Sequence, residues 1–199
     1  MGGVIVDVHR EEAIRQFKAI GVADADQLID ANNHQGLFLA FENGDIDAEE
    51  FRRQLSAHAG IDISMAAVVK AWKSIISKPL QYKLDYISDL RKKYKLYLLT
   101  NNNPILIDWA RTGDFSEAGL PITCYFDKLY ISYEMKCTKP GRPIYEKMIR
   151  DSGMEPSETL FIEDGIRNIN TAKALGFQIY QAANAEDWRD AITAILRNS

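Results

Sequence analysis

The chain has 199 residues, 46% of them hydrophobic and 26% charged, with a formal net charge of −4 at pH 7. That length suits one good-sized α/β domain, or a core with a small insertion, and the acidic balance argues against nucleic acid as the main partner. No stretch approaches the ~20 apolar residues of a membrane helix, and no basic segment leads a long apolar one at the start. Neither a membrane nor secretion is therefore expected, and the cytoplasm is the default.

The opening "MGGVIVDVHREE" carries three β-branched residues, Val4, Ile5 and Val6, that lead into Asp7. An apolar run ending in aspartate is one way a strand tip presents a nucleophile. Helical periodicity follows at once. "EEAIRQFKAIG" places Ala13, Ile14, Phe17 and Ile20 on one face and stops at Gly21. A second helical segment is predicted over 26–41, closed by the turn "ENGD". Asp47 with Glu50 three residues on forms a capping box ahead of Phe51 and Leu55, and Ser64 caps a helix that turns Val68, Ala71 and Trp72 inward. Four helices with no strand among them read as a small bundle.

Beyond Pro79 the pattern changes. A helix over 86–94 gives way to the strand "KLYLLT", which stops at "NNNP". "YFDKLYISYEM" reads as a strand, "GRPIYEKMIRDSG" as a helix closed by Gly153, "TLFIED" as a strand, "GIRNINTAKALG" as a helix ended by Gly176, "FQIYQA" as a strand and 185–198 as a closing helix. Strands alternating with helices predict βαβ units and a parallel sheet covered on both faces. The fold class is α/β: a Rossmann-like core, residues 1–8 and 80–199, with an inserted α-helical bundle at 9–79 acting as a cap.

In such a sheet, ligands bind at the carboxyl ends of the strands, so polar residues placed there carry the functional signal. Thr100 and Asn101 follow the first apolar run, where a hydroxyl and an amide hold a phosphate oxygen, unless they form an ordinary turn. "KCTKPGRP" brings a lysine to the start of a helix, and local chemistry does not separate Lys139 from Lys136. Glu163 and Asp164 are adjacent acids at a strand end. Two such carboxylates call for a cation, and hard oxygen ligands suit Mg²⁺, although Asp164 also serves as a helix cap. Cys124 and Cys137 form no CxxC pair and are read as reduced thiols; His9, His34 and His58 are scattered and suggest no zinc site.

Taken in order, Thr100-Asn101, Lys139-Pro140 and Glu163-Asp164 followed by Asn168 resemble the haloacid dehalogenase-like hydrolases over essentially the whole chain. The opening "GGVIVDVHREEAIRQFKAIG" resembles the sugar-phosphate phosphatases with a small helical cap. The resemblance implies an aspartyl-phosphate mechanism on a small phosphorylated metabolite. Thr100 and Asn101 would bind the phosphoryl group, Lys139 would balance charge, Glu163 and Asp164 would hold Mg²⁺, and Asn168 would order the loop.

In the family's register the nucleophilic aspartate falls one position before Met1, on a strand that the 199 residues do not contain. The fallback is that residues 2–6 act as a substitute strand and place Asp7 at its tip. Two rival functions remain: a phosphatase-like module that binds without catalysis, and a 2-haloacid dehalogenase, against which the acid pair argues.

Overall fold

The computed structural model describes residues 1–29 and 36–197. Five helices come first: α1 (Arg10–Ala19), α2 (Ala25–Leu28), α3 (Gly36–Asn43), α4 (Ala48–Ala59) and α5 (Met65–Lys73). The helix predicted over 26–41 is thus found as α2 and α3. The residues between them, His34 included, lie outside the described residues, as does Asn198 of the predicted closing helix. Both predicted caps are present, with the Asp47 carboxylate accepting from the Glu50 N–H and the Ser64 hydroxyl from the Ala67 N–H. The bundle closes around aromatic rings: Phe41 stacks on Phe51 at 4.6 Å, and Phe38 meets both Phe17 and Phe51 edge-on. Burying such rings is the dominant favourable term for this layer.

The second layer alternates strands and helices: α6 (Gln81–Arg91), β1 (Tyr97–Thr100), α7 (Pro104–Ala110), β2 (Lys128–Ile131), α8 (Ser132–Met135), α9 (Arg142–Ser152), β3 (Leu160–Glu163), α10 (Ile166–Ala174), β4 (Gln178–Gln181) and α11 (Arg189–Arg197). β1 pairs in parallel with β2, and β3 in parallel with β4, so the α/β class is as expected. The strand expected over 125–135 is shorter, because the chain turns into α8 at Ser132. α7 is an element that sequence reading missed. Its signal was present, for Asn103 caps it and Pro104 occupies the first turn.

The opening segment is not a strand. Ile5 and Val6 both donate back to the Met1 carbonyl, and Gly3, at φ +74°, makes the reversal possible. Ile5 and Val6 are buried in the core, and the Val4 carbonyl accepts from the Trp188 indole at 2.7 Å. Residues 2–6 therefore form a buried turn rather than a substitute strand. Residues 7–9 and 75–77 then run antiparallel, joined by His9 N–H to Ile75 C=O and Ser77 N–H to Asp7 C=O. This doubled crossing links the helical layer to the sheet layer.

Between the two strand pairs lies a gap. β1 and β3 are not paired with each other, yet Leu98, Leu99, Phe161 and Ile162 line one cavity of about 170 Å³ between them.

Candidate active site

β1 and β3 end beside one another. Thr100 and Glu163, their last residues, both line a second cavity of about 250 Å³, together with Asn101, Lys139, Asp164 and Asn168. The residues singled out in the sequence from three separate segments are therefore brought to one place. The cause is topological: parallel strands direct all their carboxyl ends to the same edge.

Each is held by its neighbours. The Asn101 side chain exchanges two 2.8 Å hydrogen bonds with the backbone of Lys139, clamping the β1 loop to the Lys139 loop. The Thr171 hydroxyl donates to the Pro140 carbonyl at 2.8 Å, and the Tyr145 hydroxyl to the Asn168 carbonyl at 3.0 Å, which fixes α10 against the same loop. Lys139 Nζ lies 2.5 Å from Glu163 Oε2, with both side chains about 6% exposed. Glu163 Oε1 accepts from the Gly165 N–H and from Asn168 Nδ2, each at 3.1 Å. Lys136, by contrast, reaches away and donates to the Gly44 carbonyl. The structure thus separates the two lysines that local chemistry left equivalent.

Asp7 stands apart. Its backbone exchanges hydrogen bonds with Ser77, and it is not among the residues lining the cavity.

The helical layer forms the opposite wall with Leu28, Ile29, Phe38 and Trp72, and adds two charged side chains, Arg10 and Glu42. Trp72 and Phe38 serve the bundle core and the cavity together. Sequence reading did not find Arg10 or Glu42 as cavity residues; the one signal was an acid ending the apolar run of "GLFLAFEN". Glu42 is positioned by its backbone, because its carbonyl lies 2.6 Å from the Ser132 hydroxyl, which also accepts from the Asn102 N–H.

The description "haloacid dehalogenase-like hydrolase" matches over residues 1–176. The chain belongs to that family. It is 44% identical to a D-ribitol-5-phosphate phosphatase of Bacteroides thetaiotaomicron, over 99% of this chain and 96% of that one. A HAD-like hydrolase structure from Porphyromonas gingivalis superposes with a TM-score of 0.95 at 43% identity, covering 98% of this chain and 94% of that one. A HAD family enzyme of B. thetaiotaomicron, crystallised with magnesium and inorganic phosphate, does so with a TM-score of 0.89 at 36% identity, covering 96% and 95%.

The electrostatics of this hydrolase's site divide the acid pair. Burial opposes ionisation of Glu163, but the Lys139 ammonium and its hydrogen bond prevail and hold the carboxyl well below the usual range. Asp164 moves the other way: burial first, and then the Glu163 carboxylate beside it, push its pKa up. Gly3 packs directly against Asp164, so closely that a Cβ there would fall 2.1 Å from Oδ2. Among the described residues no group of three or more His, Cys, Asp and Glu gathers. A half-buried carboxylate beside a second one, facing a cavity, fits Mg²⁺, which takes one or two carboxylates and completes its shell with water and substrate phosphate.

Proposed function

We propose that the protein is a Mg²⁺-dependent phosphatase of a small phosphorylated polyol or sugar, with residues 9–79 as a cap over a core of residues 1–8 and 80–199. The observation that carries this reading is the convergence of Thr100, Asn101, Lys139, Glu163 and Asp164 on one cavity. The 44% identity to a D-ribitol-5-phosphate phosphatase and the magnesium and phosphate of the related structure support it. The cavity volume of about 250 Å³ lies below the ~300–1,000 Å³ of pockets for drug-sized ligands, which favours a phosphate ester of few carbons.

In this mechanism Thr100 donates its hydroxyl to the phosphoryl group, and Asn101 keeps the loop that receives it in place. Lys139, oriented by Glu163, offsets charge on the transferring phosphoryl oxygens. Asp164, with Glu163 beside it, holds Mg²⁺, which supplies further charge neutralisation when bound. Both oxygens of Glu163 already accept hydrogen bonds, so Asp164 is the principal ligand and Glu163 mainly positions Lys139. A carboxylate attacks phosphorus, the ester P–O bond breaks and the alcohol departs; water then cleaves the acyl phosphate. We assign that carboxylate to a further strand lying in the gap between β1 and β3. β1 and β3 share an apolar cavity lined by Leu98, Leu99, Phe161 and Ile162 without pairing with each other, which supports that placement. The site lies within a chain with no helix long and apolar enough to cross a membrane among the described residues, and its two cysteines are unpaired, in keeping with a cytoplasmic protein.

The test compares hydrolysis of p-nitrophenyl phosphate and D-ribitol 5-phosphate by the 199-residue polypeptide and by one extended upstream. Chelator-sensitive turnover by the extended chain alone is expected. Robust turnover by the 199-residue chain that survives Asp7→Asn would sink the assignment. Mg²⁺-dependent phosphate binding without turnover in both would favour a binding module instead.

A further inference from the structure

The turn "ENGD" that ends α3 and the first lysine of "KCTKPGRP" meet in space, although neither Gly44 nor Lys136 lines the catalytic cavity. α3 reaches the sheet layer at α8. The Ser132 hydroxyl donates to the Glu42 carbonyl at 2.6 Å, and Lys136 Nζ donates to the Gly44 carbonyl. Gly44, at φ +75°, packs so closely on α8 that a Cβ there would fall 2.3 Å from the Tyr133 carbonyl oxygen.

α8 is itself fixed to the core. Lys147 on α9 donates to the Met135 carbonyl at 2.7 Å, and Arg111 pairs with Glu134 at 2.7 Å. Lys136 closes α8 at φ +55°, a conformation disfavoured for a residue with a Cβ and kept where its surroundings hold it. Three residues on, Asn101 clamps the Lys139 backbone. One short segment, 132–139, thus grips the cap through Ser132 and Lys136 and presents Lys139 to the cavity.

α3 in turn carries Phe38 and Glu42, which belong to the cap wall of that cavity. The phosphate-handling residues stand on the sheet layer, whereas the alcohol portion of a bound ester reaches the cap. The position of α3 therefore bears on the ester and not on inorganic phosphate. We propose that Lys136 is a positioning residue, whose bond to Gly44 holds α3 over the catalytic cavity and so sets affinity for the alcohol portion of the ester. The proposal rests on the phosphatase reading and goes beyond it to how the cap is held in place. A cap that leaves its binding-competent position part of the time lowers the apparent affinity in proportion.

Isothermal titration of the 199-residue chain in Mg²⁺ tests it, with D-ribitol 5-phosphate and inorganic phosphate as probes. Lys136→Met keeps the aliphatic stem and removes the donor. It is expected to weaken D-ribitol 5-phosphate at least about fivefold and to leave inorganic phosphate within about twofold. Lys136→Arg, which keeps a cationic donor, is expected to restore most of the difference. Gly44→Ala, which drives a Cβ onto the Tyr133 carbonyl, is expected to show the same selective loss by a separate route. Equal losses for both probes in Lys136→Met, unchanged affinity for both, or no restoration by arginine overturns the proposal. So does an unmutated chain that binds D-ribitol 5-phosphate no tighter than inorganic phosphate, for the cap then contributes nothing. Absence of inorganic phosphate binding in the unmutated chain overturns the phosphatase reading itself.

Discussion

Removing the cation from the buried Lys139–Glu163 pair gives a sharp test of how the site is built. In Lys139→Met the ammonium 2.5 Å from Glu163 is lost while the carboxylate stays about 6% exposed. Leaving one partner of a buried ion pair uncompensated costs about 3–5 kcal/mol. Two donors, the Gly165 N–H and the Asn168 amide, still contact Glu163 Oε1, which places the expected loss at the lower end, about 3 kcal/mol. At this chain length that corresponds to a fall of roughly 6–12 °C in melting temperature. The pH dependence follows from the direction of the Glu163 shift. In the unmutated protein the carboxyl is depressed, so its contribution is present above the ordinary carboxylate range and is lost as pH falls through the depressed value. In Lys139→Met the strongest influence holding the carboxyl down is gone and burial is opposed mainly by the two remaining donors, so the depression is largely lost and protonation relieves part of the penalty. The deficit is therefore largest at pH 7 and shrinks toward pH 4. Urea unfolding of both proteins across that range measures it, and Lys139→Met/Glu163→Gln should recover at least half the loss. A single variant less than about 1 kcal/mol below wild type, or a double variant no better than the single one, would refute the reasoning.

Gly3→Ala brings a Cβ onto the Asp164 carboxylate at a positive φ, and should weaken Mg²⁺ binding, read by titration calorimetry, together with a loss of thermal stability. Ser132→Ala removes the hydroxyl that joins Glu42 to the β1 loop and leaves buried groups without their partner. A loss of about 1–3 kcal/mol in urea is expected, and no loss would show that the contact between cap and core does not depend on it. Glu42 is the converse of Glu163: its carboxyl is raised by burial from 4.5 to about 7, so its contribution is intact below the ordinary carboxylate range and is lost as pH rises through about 7. Glu42→Gln should flatten the decline in stability between pH 5 and pH 8, by up to about 3 kcal/mol, whereas an unchanged slope would contradict the burial argument.

Much of the fold was legible because its signals are local. The Asp47 and Ser64 caps, the apolar helix faces and the strand ends at Thr100 and Glu163 are each specified within a few residues, and all stand where periodicity and capping rules put them. Where reading failed, a longer-range demand had intervened. Val4, Ile5 and Val6 have strand-like side chains, yet their burial against the core and the reversal at Gly3 make them a turn. The run at 125–135 looks uniformly extended, but Ser132 begins α8, where its hydroxyl meets Glu42 and Asn102.

The sequence by itself determined which chemistry-bearing residues stand at strand ends, and the order in which they come. The family resemblance already named Lys139 over Lys136; only the tertiary structure decided that Lys139 meets Glu163, that the Glu163 oxygens are taken by Lys139, Gly165 and Asn168, and that Arg10 and Glu42 line the same cavity. The physical reason is the same throughout. Periodicity and capping record what a residue needs from neighbours within a turn or two. An ion pair 24 residues apart, or a wall shared by two layers, depends on the path of the backbone between them, which no local pattern encodes.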